Sequence, residues 1–454
     1  MTFALIILAA GKGTRMKSNL AKPLHKVGGK PMLAWVLDSG FAAGASAQIV
    51  ITPEDHGDVS NFIDAYSDIR QLDVKTAVQH PQQGTGHAVE CAAPLLKDYD
   101  GIVLVAFADT PLLYADTYAA LAQSLHDNPN AAVACLGFHA DQPKGYGRMV
   151  LDDGGKLVKI VEEKDTNAEE KHITFVNAGI MALSAPLVFD LLDEIAYANA
   201  SGEKYLTDCV EAARAKGHDV LALEASQTEV IGVNDRSHLA EAEAILQARL
   251  RTAAMEAGAS LIAPETVFLH HDTVLEPDVI IEPNVVFGPN VTIGQGSEVK
   301  SFSHLEGVVT GACCIIGPYA RLRPGTQLGE GVKIGNFVET KNTVMGDLAK
   351  ANHLTYLGDA TVGGKANIGA GTITCNYDGV NKHKTSIGEG AFIGSNSSLV
   401  APISVGDRAI IGAGSTITKN VGSDDLALTR GEMKTVSNGA TRLRQRQTKA
   451  KPSG

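Results

Sequence analysis

Two glycines, Gly11 and Gly13, sit at the end of an aliphatic run in "LAAGKGTRM" (residues 8–16), and two cations, Arg15 and Lys22, come close behind. Small residues let backbone N–H groups approach a phosphate, and the cations offset its charge. The stretch fits neither common nucleotide fingerprint. Met16 holds the place of the third glycine in G-x-G-x-x-G, and G-x-x-x-x-G-K-[ST] is not matched. A tight strand–helix turn with no ligand is the alternative. Far downstream, His353 stands in "NHLTYLGDA" (352–360), where a periodic sequence loses its beat. An imidazole there is suited to take a proton near neutral pH. A further interruption, "TITCNYDGVNKHKT" (372–385), sets Asn376, Tyr377, Asp378, Lys382, His383 and Lys384 where aliphatic residues are due. Not every histidine reads as chemistry. His270 and His271 are adjacent, not i,i+4 on a helix, and read as β-helix surface.

Two kinds of element must hold these residues. Up to about residue 230, short aliphatic strands alternate with helix-like stretches. "FALIILAA" (3–10), "QIVIT" (48–52), "IVLVAFAD" (102–109) and "AAVACLGF" (131–138) read as strands, and 114–126 reads as a helix. That order predicts a three-layer α/β domain, Rossmann-like with a mostly parallel sheet. Ligands then sit at the carboxyl ends of the strands, which singles out the loops after Ala10 and Ala108. Leu239, Ala242, Leu246, Leu250, Ala253 and Ala257 recur at helical spacing before Gly258. From 262 the period becomes six. Leu275, Ile281, Phe287, Ile293 and Val299 obey it, as do Ile316, Leu322, Leu328 and Ile334, then Val362 and Ile368, then Ile387 through Ile417. A hexapeptide period predicts a parallel β-helix, expected to be left-handed. The phase slips before Ile316, between Ile334 and Val362, and between Ile368 and Ile387. Each slip marks a loop or an irregular coil, where function concentrates. The expected boundaries are 1–235, a linker helix 236–258, the β-helix 259–430 and a basic tail 431–454, its last part disordered.

Composition narrows the partners. The chain has 454 residues and a net charge of −12, which argues against a broad basic face for nucleic acid. The longest N-terminal apolar run is too short to span a bilayer. Six cysteines without a C-x-x-C pair suit reduced thiols in a cytoplasmic protein.

"LAAGKGTRM" with "AKPL", then "QGTGHA" (83–88), "ADTPLL" (108–113), "GYGR" (145–148), "IVEEKD" (160–165), "VNAGI" (176–180) and "GVND" (232–235), resembles the sugar-nucleotide pyrophosphorylases. With the hexapeptide repeats and "NHLTYLGDA" added, the order resembles the bacterial bifunctional N-acetylglucosamine-1-phosphate uridyltransferase/glucosamine-1-phosphate N-acetyltransferases over nearly the whole chain. The resemblance implies two steps. Acetyl-CoA acetylates glucosamine 1-phosphate, and N-acetylglucosamine 1-phosphate then takes a uridylyl group from UTP with release of pyrophosphate. It implies that Leu8, Ala9, Ala10, Gly11, Lys22, Gln79, Gly84 and Thr85 hold the nucleotide, with Phe107 and Ala108 beside them, and that Gly147, Glu162 and Asn177 hold the sugar. Asp109 and Asn234 would bind Mg²⁺, and Arg15 and Lys22 would assist catalysis. In the β-helix, His353 would be the base. Arg323, Lys341, Tyr356 and Asn367 would bind the amino-sugar phosphate, and Ala370, Asn376, Tyr377, Ser395, Ala413 and Arg430 acetyl-CoA. A homotrimer is implied as well. One departure is visible: Phe107-Ala108 stands where the family has Tyr-Gly, and a Cβ at 108 crowds a ligand approaching the backbone.

Two other readings remain at this stage. One is a nucleotidyltransferase for another sugar phosphate with a β-helix appended, against which "NHLTYLGDA" and "CNYDG" weigh. The other is a non-catalytic assembly protein that kept both folds, which the joint presence of Lys22, Asp109, Asn234 and His353 opposes.

Overall fold

The structure, a computed structural model, describes residues 2–54, 57–195 and 202–449. The chain divides into two compact units, Met1–Leu250 and Arg251–Gly454.

The first unit is built on β1 (Phe3–Leu8), β2 (Ala45–Pro53), β3 (Val74–Gln79), β4 (Ile102–Phe107), β5 (Ala131–His139), β6 (Arg148–Leu151), β7 (Leu157–Val161), β8 (Phe175–Ser184) and β9 (Asp219–Glu224). The strand order is β9-β5-β8-β4-β1-β2-β3, with β6 paired to β8 and β7 paired to β6. β1 runs parallel to β2 and β4, while β8 is antiparallel to both β4 and β5. Every residue of β1 is buried. Ala4, Ile6 and Leu8 face one apolar core, and Phe3, Leu5 and Ile7 face another on the opposite side of the sheet. A strand covered on both faces cannot alternate polar with apolar residues, which explains the unbroken run "FALIIL". Each of its Phe, Leu and Ile side chains contributes about 1.5–3 kcal/mol on burial.

The helix Arg236–Glu256 is where the sequence predicts one. Its role differs from a linker beginning at 236. Ala242 and Leu246 are buried against Val27, Met32, Leu112, Ile231 and Val233. Glu243 accepts the Gly28 N–H (2.6 Å), and Arg249 donates to the Leu112 carbonyl (2.6 Å). The division between units accordingly falls after Leu250.

The second unit is a parallel β-helix of hexapeptide repeats. Strands repeat on three faces, and Leu275 pairs in register with Ile293, Ile281 with Val299, and Ile393 with Ile411. The hexad residues Ile281, Val299, Ile316 and Ile334 point inward and are buried. Val299 pairs with Ile316, a coil of 17 residues, and Ile368 with Ile393, a step of 25. The long step carries the interrupted stretch as a loop, so the last phase slip is a real excursion of the chain. At one edge, Phe302, Tyr319 and Phe337 stack with ring centroids 5.0 and 5.3 Å apart. Beyond the coils, Gly439–Lys449 is helical where a disordered end was expected. Its run of Arg, Gln, Ala and Leu without interior Gly or Pro favours helix. Residues 450–454 lie outside the described residues.

Candidate active sites

The first site opens at the carboxyl ends of β1, β3 and β4. A cavity of about 760 Å³ is lined by Leu8, Ala9, Ala10, Gly11, Lys22, Gln79, Gly84, Thr85, Phe107, Ala108, Asp109, Gly147, Glu162, Asn177 and Asn234. Every nucleotide, sugar and metal residue expected in this unit is therefore brought to one space. Its size suits a small-molecule ligand. Arg15 reaches the same place by donating to Asn234 Oδ1 (2.9 Å). The Lys22 ammonium donates to that oxygen (3.0 Å) and pairs with the Asp109 carboxylate. A carboxylate and an amide oxygen thus converge on one cation. That all-oxygen donor set fits Mg²⁺, which takes few protein ligands beside phosphate and water.

The walls are held by local geometry. Gly84 has φ +107°, and a Cβ there would lie 2.4 Å from the Lys204 carbonyl oxygen. Only glycine suits that position. The Gln79 amide donates to the Gly84 carbonyl (2.9 Å), and Thr85 Oγ1 accepts the Leu206 N–H (3.0 Å). Ala108 is buried and donates its N–H to the Leu8 carbonyl (3.1 Å), so its Cβ is part of the wall. Phe107 packs over Gly179, where an added Cβ would meet the ring at 2.7 Å. At the end where the sugar is expected, Asn177 donates its N–H to the Gly147 carbonyl (2.8 Å), and Thr207 donates to Glu162 Oε1 (3.2 Å). Burial raises the Glu162 pKa. Asp208 is pushed up to about 6, first by burial and then by Glu211, Glu162 and Asp165.

The second site lies on the outer edges of the β-helix. His353 Nδ1 is 2.9 Å from Asn336 Oδ1. An amide oxygen only accepts, so Nδ1 donates in this contact, and Nε2 is the nitrogen that bears the lone pair in the neutral imidazole. Asn336 and His353 are in register, and the pairing of Ala351 with Ile368, Ile393 and Ile411 continues that column through Ala370, Ser395 and Ala413. The Arg430 side chain lies over Gly412 and Gly414 at its end. Tyr356 stands on the adjoining face, and Asn367 on the face before the edge. At the far edge of Tyr356's face sits a cationic group. The Lys382 ammonium beside Lys341 lowers the Lys341 pKa, and Arg323 adds to the effect. Arg323 also pairs with Glu339 (2.9 Å). Asn376 is buried and donates to Asp359 Oδ2 (2.5 Å), whereas Tyr377 is 60% exposed. Asp378 accepts the N–H groups of Val380 and Asn381 and pairs with His383 (2.7 Å), which folds the loop upon itself.

Family profiles agree with the two units. The MobA-like NTP transferase domain matches residues 5–168. The bacterial transferase hexapeptide (six repeats) matches 272–307 and 307–342, and the hexapeptide repeat of succinyl-transferase matches 384–419. Curated relatives match the whole length. The bifunctional protein GlmU of Azorhizobium caulinodans is 53% identical, with 98% of each chain covered. Those of Xanthobacter autotrophicus and Zymomonas mobilis are 51% and 47% identical with the same coverage. The chain belongs to the GlmU family.

As a GlmU-family enzyme it is a bifunctional transferase, joining a nucleotidyltransferase to a hexapeptide acetyltransferase, and its activity is the two-step synthesis of UDP-N-acetylglucosamine. Several residues of these sites escaped the sequence reading. Gln82 lines the first cavity and donates to the Ala10 carbonyl (2.5 Å). It precedes "QGTGHA" by one position, and nothing in its type marked it. Asn336 stands 17 positions before His353, one coil away, and only the coil length could have paired them. Lys382 was visible inside the interrupted stretch, without a role. Asp208 carried no signal, because its perturbation comes from neighbours distant in sequence.

Proposed function

We propose that the first cavity transfers the uridylyl group with Asp109 and Asn234 holding Mg²⁺, and that the β-helix edge transfers the acetyl group with His353 as base. The observation that carries this reading is the convergence of Lys22, Asp109, Asn234 and Arg15 in one cavity. When bound, Mg²⁺ supplies positive charge against the triphosphate. Arg15 and Lys22 add to it, and the small residues 9–11 let the backbone approach the phosphates. The anionic oxygen of N-acetylglucosamine 1-phosphate forms a bond to the α-phosphorus of UTP, and the bond to pyrophosphate breaks. No general base is required, since the nucleophile is already ionised. In the second site the amine of glucosamine 1-phosphate forms a C–N bond to the acetyl carbon. The C–S bond breaks, CoA leaves as thiolate, and the amine proton passes to His353 Nε2. Arg323, Lys341 and Lys382 would face the sugar phosphate, and the column from Ala370 to Arg430 the acetyl-CoA.

We further propose that this second site is shared between chains of a homotrimer. His353 and its column occupy one edge of the solenoid. Asn376 and Tyr377 occupy the opposite edge of the same face, about 15 Å away at roughly 3.3 Å per residue of strand. A pocket that uses both edges is completed when a second copy packs against that face. Reduced thiols support a cytoplasmic setting: all six cysteines are unpaired. No described helix is long and apolar enough to cross a membrane.

Product analysis by mass spectrometry, with glucosamine 1-phosphate, acetyl-CoA, UTP and Mg²⁺, tests the activities. For the shared site, His353→Ala is mixed with Asn376→Ala/Tyr377→Ala, then unfolded and reassembled. Recovered acetyl transfer and a mass of three chains in solution are expected. A trimeric mixture with no recovery would refute the sharing.

A further inference from the structure

His270, His271 and Asp272 lie at an outer edge of the β-helix, between Phe268 and the strand Val274–Leu275. Successive side chains on a straight strand point to opposite faces, but here the chain turns. One ligand atom from each of the three residues lies within 4.8 Å of the others. The two imidazoles are 4.7 Å apart between centroids, and His270 Nδ1 is 2.6 Å from Asp272 Oδ1. Thr273 holds the turn: its Oγ1 accepts the His270 N–H (3.1 Å), and its own N–H donates to the His270 carbonyl (3.0 Å). The second Asp272 oxygen accepts the Asn290 N–H of the next coil (3.0 Å). Such outer contacts fix a carboxylate as they do around bound metals. The pairing of Phe268 with Val286, and of Val286 with His304, places Gly288 above His270 and Glu306 above Gly288. Glu306 leans into the space at Gly288, with Cγ 3.1 Å from where a Cβ would stand. The position above His270 therefore carries no side chain of its own, and the stem of Glu306 borders it.

We propose that His270, His271 and Asp272 bind a borderline divalent transition-metal ion of the zinc class, with water completing the shell. Zinc–nitrogen and zinc–oxygen bonds of about 2.0–2.1 Å put tetrahedral ligand atoms roughly 3.4 Å apart. The three ligand atoms, within 4.8 Å of one another, already lie near that spacing. Two imidazoles and one carboxylate favour zinc over magnesium, which prefers oxygen ligands. The site is thus chemically distinct from the all-oxygen pair Asp109 and Asn234. Its occupancy would fasten the turn to the coil above through Asp272 and Asn290. Protons compete for the imidazoles, so binding weakens as pH falls.

The test uses tag-free, full-length, chelator-stripped protein carrying Asp109→Ala, which disables the proposed magnesium site. Equilibrium dialysis with Zn²⁺ is expected to give one bound equivalent at neutral pH, and Co²⁺ a matching absorption band. Adding His271→Ala should abolish the equivalent. Adding Asp272→Asn should weaken it by about tenfold or more. The asparagine oxygen still accepts from Asn290, which keeps the turn folded. His126→Ala, an exposed side chain near the end of the helix Ala115–Asp127, should leave it unchanged. Zn²⁺ should raise the Tm of the Asp109→Ala protein and not that of the His271→Ala double variant. Absence of a bound equivalent overturns the proposal, as does an equivalent that survives both His270→Ala and His271→Ala.

Discussion

The nucleotidyltransferase unit and the β-helix solve the problem of building a site in opposite ways. In the first unit, strands separated by up to 100 residues end at one crevice, and residues from Leu8 to Asn234 line a single cavity. In the β-helix, the inside of every coil is filled by hexad aliphatics such as Ile281, Ile316 and Ile393. Nothing can bind there, so functional side chains are confined to edges and outer faces. An open α/β sheet makes a concave site where strand directions diverge. A narrow solenoid makes columns, and columns need a second surface to become a pocket. The difference teaches that a residue list of equal quality yields one enclosing cavity in the first architecture and open columns in the second.

The largest expected effect would break the comparison outright. Asp109→Ala should lower uridylyl transfer by about 10³-fold or more, as loss of charge stabilisation does, while acetyl transfer stays intact. A chelator should act in the same direction. Parallel assays of the two half-reactions check both, and equal loss in each would mean that the sites are not independent. His353→Ala should do the reverse, costing roughly 10²- to 10⁴-fold in acetyl transfer. A variant that acetylates at the wild-type rate would end the assignment of the base.

Smaller effects sharpen where the first unit stops. A fragment of residues 1–258 should fold and keep uridylyl transfer, whereas one ending at 235 would expose Val27, Met32 and Leu112. In the intact chain, Leu246→Ala should destabilise the first unit by about 2–5 kcal/mol, measured by denaturant unfolding. A cost near zero would return that helix to the status of a free linker. The smallest effect is a pH dependence. Asp208 binds its proton more tightly in the folded state, about 6 against an ordinary 3.8. Its stabilising contribution is complete below about pH 4 and is lost as pH rises through 6. Asp208→Asn should flatten that window and gain about 1–2 kcal/mol above it, after allowance for partial exposure. An unchanged pH–stability curve would show that the carboxyl is not perturbed.

Much of this was legible in the residues alone. A strand buried on both faces must be aliphatic throughout, and a coil that packs one residue per face-turn inward must repeat every six, so periodicity disclosed both folds. The order of short motifs named the residues of the first cavity, because each motif closes a strand and strand ends meet by topology. Three things needed tertiary structure. The helix 236–256 shows the same spacing whether it links or docks, and only its contacts with Val27 and Met32 separate the two. Asn336 faces His353 because the coil there is 17 residues long, a spacing with no local signature. His270 and His271 read as β-helix surface, and only the turn at His271–Asp272 brings their ligand atoms together. Periodicity records which way a side chain faces; it does not record which distant residue it meets, because that depends on coil length and turn geometry summed over the intervening chain.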